Sequence, residues 1–386
     1  MGDSVCIALQ ESPSAPVSRP RKKSVRDGTD ARIPHRRFQK APYNAAVLWK
    51  GECPLVEYRR ARAQEAADIL DFINYVFSQA HKPHDFKKFN PPMYGSDYPF
   101  WKEHYVAVEE GRIKATLSIT RKEIERGGEK FVYGHVGQVS VHPYARGEGH
   151  MKRLMYMAID DMINDGFDYA ELGGQRQRYG YFGFTQGVPH YSMNVTSTNT
   201  RHALHGRECS LTARQRPHEG GWVPTYDVLD ENGQVVGRVA GHLLELDDPY
   251  LAPEACEAYF RASGEKHMTV SAGMNEIERI RVLNSICENI SLTNRSMYRI
   301  FHFEKYIRAA LTLRAQAERL PDGEMDLQID RKPLHIKVKN GEVTVEPGKE
   351  GQGVYLTAMQ AQEMLFSPAS PALYPDAPAG WFPVTI

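Results

Sequence analysis

The run Val139-Ser-Val-His-Pro-Tyr-Ala-Arg-Gly-Glu-Gly-His-Met-Lys-Arg-Leu-Met155 combines residue types that could hold an anion. It starts as an apolar strand ending at Val141, passes through a tight loop and enters a helix. Arg146, Gly147 and Gly149 lie in the loop. Glycines leave out Cβ atoms where a ligand must come close to the backbone. A helix starting there turns its unpaired N–H groups, and their partial positive charge, outward. A phosphate or pyrophosphate is the natural guest. Arg146 and Lys152 would add charge on either side. The loop and first turn therefore supply the binding candidates Arg146, Gly147, Glu148, Gly149, His150, Met151 and Lys152. An ordinary strand, solvated loop and helix is the bland alternative. It gives no reason for Arg146 and Gly149 at this spacing after Pro143.

The spacing V-x-V-x-P-x-x-R-x-x-G resembles the acetyl-CoA signature of the GNAT N-acetyltransferase superfamily. The resemblance implies that the loop amides hold the CoA pyrophosphate. It also implies that Val139, Ser140 and Val141 offer backbone groups to the pantetheine arm. The sequence departs where the superfamily pattern ends in a small residue, since Met151 stands there.

A second stretch bears on acyl transfer, Gly173-Gly-Gln-Arg-Gln-Arg-Tyr-Gly-Tyr-Phe-Gly-Phe184. The attacking amine must lose a proton and the departing thiolate must gain one. A thiol like that of cysteine has a pKa of about 8.5, so a tyrosine near about 10 can return the proton. Tyr179 and Tyr181 are the available hydroxyls, and either could equally be a packing aromatic. The run Y-G-x-F-G-[YF] is similar to one in the Eis (enhanced intracellular survival) branch of GNAT. That resemblance favours Tyr179 as general acid, and the branch tolerates a large residue at the place of Met151. In that branch the chain's own terminal carboxylate helps deprotonate the amine, which makes Ile386 the second catalytic candidate. A buried carboxylate would have a raised pKa and be a better base. His135 and Glu171 are lesser candidates, because a lone strand histidine is usually satisfied structurally.

The elements that must position these residues read as a mixed α/β (α+β) chain. Helical periodicity spans Gln64–Ser78 and Gly149–Asn164, with the second stripe (Met151, Leu154, Met155, Ala158, Ile159, Met162) facing a core. Strands are expected at Glu57, Trp101–Val108, Arg112–Thr120, Phe131–Val141 and Phe167–Leu172. This order fits a GNAT domain over residues 55–200. Residues 201–296 read as a second, degenerate GNAT-like unit, with a helix over Asn275–Glu288 and no CoA motif. Residues 297–386 read as a helix, a hairpin turning at Asn340-Gly341 and a closing helix. That order resembles the sterol carrier protein-like domain that ends Eis proteins.

Composition narrows the class. The chain has 386 residues, with 48 Lys and Arg against 48 Asp and Glu. The balance argues against a nucleic-acid or membrane partner for the body as a whole. No apolar run approaches a membrane span. Five cysteines, odd in number and without a C-x-x-C pair, point to reduced thiols, a cytoplasmic setting and no metal site. Residues 1–50 are basic and rich in proline and serine, and read as a mobile arm. The expected partners are acetyl-CoA as co-substrate and an amine acceptor. The resemblance adds an aminoglycoside- or polyamine-like cation or a lysine as acceptor, and a hexameric assembly. The expected activity is direct transfer from a ternary complex. An inactive CoA- or lipid-binding scaffold is the alternative.

Overall fold

The computed structural model describes residues 55–80, 83–217 and 223–384. The expected basic arm over residues 1–50 and the candidate Ile386 lie outside these residues. The chain begins with β1 (Glu57–Arg60) and α1 (Ala66–Ala80), then the short helices α2 (Phe86–Phe89) and α3 (Pro91–Tyr94). Next come β2 (His104–Glu109), β3 (Arg112–Arg126), β4 (Glu129–Val141), α4 (His150–Asn164), β5 (Tyr169–Leu172), α5 (Arg176–Gly180) and β6 (Thr185–Thr196). One expectation is corrected here. Trp101–Glu103 form part of a 3-10 turn, and the strand starts only at His104. Pro99 starts the turn, and the Lys102 amide closes it on the Pro99 carbonyl at 3.0 Å.

The middle of the chain forms α6 (Ser197–Ala203), β7 (Thr212–Gln215), β8 (Tyr226–Leu229), β9 (Val235–Ala240) and β10 (Leu243–Leu246). It continues through α7 (Ala252–Ser263), β11 (His267–Gly273), α8 (Ile277–Asn284) and β12 (Cys287–Ile300). The helix expected as far as Glu288 therefore stops at Asn284, and Cys287 and Glu288 are strand residues. The alternating Ile290-Ser-Leu-Thr293 that follows pairs with β6, and this pairing overrides the helical reading. The last part forms α9 (Phe303–Ala317), β13 (Gly323–Ile329), β14 (Lys332–Lys339), β15 (Glu342–Pro347), β16 (Val354–Leu356), α10 (Ala358–Phe366) and α11 (Ser370–Leu373). Asn340 and Gly341 both have positive φ, 53° and 83°, as a two-residue hairpin turn between β14 and β15 requires.

The described residues form three sheets. The largest runs β1-β2-β3-β4-β5-β12-β6-β11. Only β4 and β5 in it are parallel neighbours. β2 is buried on both faces from His104 to Val108. Tyr105 and Ala107 pack with the α4 stripe Leu154, Met155, Ala158, Ile159 and Met162. Val106 and Val108 pack with Ile69, Leu70 and Ile73 of α1. Residue alternation thus places one helix on each face of the sheet. Burial of each such large apolar side chain contributes about 1.5–3 kcal/mol. The second sheet, β10-β9-β8-β7, shares a core with α7, and the third, β15-β14-β13-β16, shares one with α9 and α10. β12 pairs with β6 from Cys287 to Tyr298 and with β5 from Met297 to Ile300. It passes through the expected boundary at residue 296 without a break.

Candidate active site

β4 and β5 are paired over three rungs only, Tyr133 with Tyr169, Gly134 with Ala170 and His135 with Glu171. Beyond His135, β4 continues to Val141, while β5 ends at Leu172. The sheet therefore opens between these strands at the His135–Glu171 rung. The edge of β4 carrying Val139, Ser140 and Val141 flanks that opening. A bulge sets the edge's course. Gln138 has φ 46°, and the β3–β4 register shifts between Thr116 and Ser118. The Ser118 hydroxyl donates to Gln138 Oε1 at 2.6 Å, and the Ser140 hydroxyl donates to the Gln138 carbonyl at 3.0 Å. Both serines are buried.

The loop after β4 delivers the start of α4. Pro143–Ala145 form a 3-10 turn, and the Tyr144 amide donates to His142 Nδ1 at 3.3 Å. Gly147 and Gly149 have φ 91° and 83°. A Cβ at either would meet no atom within 4 Å, so the glycines are needed here for their left-handed backbone. Gly149 caps α4 without any side-chain acceptor. The first-turn amides thus have no side-chain cap. Arg146 and Lys152 are exposed beside them.

The His150 side chain is held by protein partners. It is buried, with Nδ1 2.7 Å from the Tyr58 hydroxyl and Nε2 3.0 Å from the Glu148 carboxylate. The His150 and Glu148 side chains thus pair with each other. The Arg153 guanidinium lies over the Tyr58 ring at 5.0 Å. Burial raises the Tyr58 phenol, and Arg153 opposes that shift. Met151 is half-buried against the α4 core, which accounts for a large residue at this position.

The two tyrosines of the second stretch separate clearly. Tyr179, in α5, is buried at 6% exposure, and Tyr181 is 58% exposed. Gly174 makes room for the Tyr179 ring, since a Cβ there would overlap it. Burial raises the Tyr179 phenol, with Arg178 pulling the other way. The Tyr179 carbonyl accepts from the Phe182 and Phe184 amides at 2.9 and 3.3 Å, closing the turn. Tyr181 instead lies beside the loop helix, with Lys152 Nζ 4.8 Å from its ring centroid. Hydrogen bonding to Lys152, then to Tyr156, lowers its phenol below the ordinary value.

The sequence offered His135 and Glu171 as lesser candidates without joining them. His135 Nδ1 lies 3.1 Å from Glu171 Oε1, at the last rung before the opening, and both are mostly buried. His135 is also opposite Thr120 on β3, whose hydroxyl donates to Glu103 Oε2 at 2.5 Å. Two carboxylates and an imidazole therefore line this part of the sheet. Parallel pairing of β4 with β5 was the signal, and it is not a local one. Among the described residues no group of three His, Cys, Asp or Glu side chains could hold a metal, and no helix is long and apolar enough to cross a membrane.

Residues 57–187 match the acetyltransferase (GNAT) domain family. The chain carries a GNAT acetyltransferase domain. The enzyme class that goes with it is N-acetyltransferase. The match ends inside β6. No curated protein matches the chain. Similar solved structures include a GCN5-related N-acetyltransferase from Anabaena variabilis, at 14% identity and TM-score 0.57, covering 83% of this chain and 92% of that one. Another, from Kribbella flavida, is 15% identical with TM-score 0.57 and coverage of 83% and 91%. Eis1 from Mycobacterium abscessus is 10% identical with TM-score 0.52 and coverage of 80% and 89%. At these identities the likeness is one of fold, and it extends well beyond the GNAT domain into the rest of the chain.

Proposed function

We propose that this chain moves the acetyl group of acetyl-CoA directly to a primary amine bound beside it. The observation that carries the reading is the sheet opening between β4 and β5, next to an uncapped, glycine-led helix start. In this reading the amides from Gly147 to Lys152 bind the pyrophosphate, with Arg146 and Lys152 adding charge. The Val139–Val141 edge binds pantetheine as a strand would, and an amide near Val141 polarises the thioester carbonyl.

Two proton movements complete the reaction. His135, held by Glu171, accepts a proton from the amine, and Tyr179 returns one to the CoA thiolate. Burial favours the protonated phenol of Tyr179, the form a general acid needs. Ile386 remains the other base candidate on resemblance to the Eis branch. The carboxylates of Glu103 and Glu171 support a cationic acceptor, either a polyamine- or aminoglycoside-like molecule or a lysine side chain. The sterol carrier protein-like reading of residues 297–386 rests on the order of α9, the β13–β16 sheet and α10.

The test is thiol release from acetyl-CoA with spermidine, kanamycin, a lysine peptide and glycine as acceptors. Release that requires one of these amines supports the reading. Bound acetyl-CoA without release to any amine overturns it.

A further inference from the structure

Gln362 sits in α10, far along the chain from the acetyltransferase motifs, yet it has no exposed surface. Its neighbours Ala361, Met364, Leu365 and Phe366 are buried apolar residues of the same core. A glutamine in such a place must satisfy an acceptor and two donor hydrogens. It does so with three partners. Oε1 accepts from the Ile300 amide at 2.7 Å. Nε2 donates to the Gly183 carbonyl at 3.0 Å and to Thr185 Oγ1 at 3.0 Å.

Gly183 belongs to the turn that carries Tyr179. Its neighbour Phe182 is held from another side, where Arg299 Nη1 of β12 donates to the Phe182 carbonyl at 2.7 Å. The Arg299 side chain also lies 3.6 Å from where a Gly183 Cβ would be, so the turn rests on the guanidinium. The Phe182 and Phe184 amides in turn donate to the Tyr179 carbonyl. A shift of residues 182–184 would therefore reach Tyr179 through two hydrogen bonds.

We propose that Gln362 is a positioning residue for acetyl transfer: with Arg299 it clamps the Phe182–Gly183 carbonyls and so fixes the Tyr179 hydroxyl, making α10 a working part of the transferase site. This rests on the general-acid reading of Tyr179. Neither Gln362 nor Arg299 touches the reacting atoms in this scheme. A displacement of the order of 1 Å in such a support costs roughly 100-fold in rate.

The experiment is a double-mutant cycle on the full chain, with thiol release from acetyl-CoA and the best acceptor of the amine panel. Gln362→Met is expected to lower kcat on the order of 10- to 100-fold while the KM for acetyl-CoA holds. Combined with Tyr179→Phe, it is expected to add almost nothing, because the acid it positions is already gone. Losses that multiply, or an unchanged kcat for Gln362→Met alone, would overturn the proposal. If Gln362→Met does not fold, Arg299→Gln enters the same cycle with the same two outcomes. A silent Tyr179→Phe removes the acid itself, and the clamp then has nothing to position. A second measurement needs no acceptor: the titration of 13C-labelled Tyr179, assigned by its loss in Tyr179→Phe. Releasing the clamp should let water reach the phenol and bring its raised titration down toward the ordinary tyrosine value. A titration identical to that of the unaltered chain overturns the clamp even if turnover is never observed.

Discussion

In the proposed reaction Tyr179 and His135 divide the two proton movements between them, and each can be tested by itself. Tyr179→Phe removes the hydroxyl and keeps the packing, so turnover should fall by about 10²–10⁴ with folding intact. A loss of only a few-fold would take the residue out of the mechanism. Glu171→Gln keeps the 3.1 Å contact to His135 feasible but removes the charge that stabilises an imidazolium. The expected result is a lower kcat with acetyl-CoA affinity unchanged, read by steady-state kinetics alongside equilibrium binding of CoA. At Gly149 the constraint is conformational, with φ at 83°. Gly149→Ala should cost about 1 kcal/mol of stability and weaken CoA binding, because the first turn of α4 is re-aimed. Thermal melts and CoA titration would show both effects, and an unaffected CoA affinity would argue against the loop as the anion site.

At the scale of elements, what the sequence reveals follows from how local each signal is. The loop before α4 is legible because glycine spacing and a helix start lie within a few residues. The Asn340-Gly341 hairpin is legible for the same reason. The apolar stripe of α4 also reads correctly, since its period is set by the helix itself. The His135–Glu171 contact joins residues 36 apart through strand register, which no periodicity encodes. β12 was half hidden for a similar reason. Its residues alternate, but its two neighbours are β5 and β6, and only the assembled sheet decides where the preceding helix must stop. Gln362 left a faint trace, a polar residue on the apolar face of an otherwise regular helix. The start of that helix gives a test of its own. Thr357 and Gln360 form a capping box, with the Gln360 amide donating to Thr357 Oγ1 at 3.3 Å. Thr357→Ala should cost about 1 kcal/mol in a urea melt. The same substitution should also lower kcat slightly, since α10 carries Gln362.

Across the whole molecule His84, His104, His150 and His190 are buried among the described residues, and for His104 burial sets a response to acid. His104 has no exposed surface, and its Nδ1 lies 3.0 Å from Thr116 Oγ1, whose own hydrogen goes to the Tyr105 carbonyl at 2.9 Å. Thr116 must therefore accept from Nδ1–H, and the buried Nε2 has no hydrogen-bond partner among the described residues that would stabilise a second proton. Burial pushes the His104 pKa down to about 3. The unfolded chain takes up this proton near about 6.5. The histidine's contribution to stability is thus complete above that pH and is lost as pH falls toward 3, at up to about 1.4 kcal/mol per unit. Urea melts between these limits should show a shallower pH slope for His104→Gln than for the unaltered chain, and equal slopes would locate the acid sensitivity elsewhere. The same scale shows what the path of β12 demands of a ribosome. The strand that fills the place between β5 and β6 carries Arg299, 117 residues after the Phe182 carbonyl it binds. Until β12 is synthesised, the edges of β5 and β6 that it joins have no partner, and bare edges are prone to mispairing. A nascent chain stalled before Cys287 should stay open to protease around Thr185–Thr196, and adding residues as far as Ile300 should close it. The sequence match thus ends inside β6, well short of β12, so a fragment cut at residue 187 would leave β5 without its antiparallel neighbour β12.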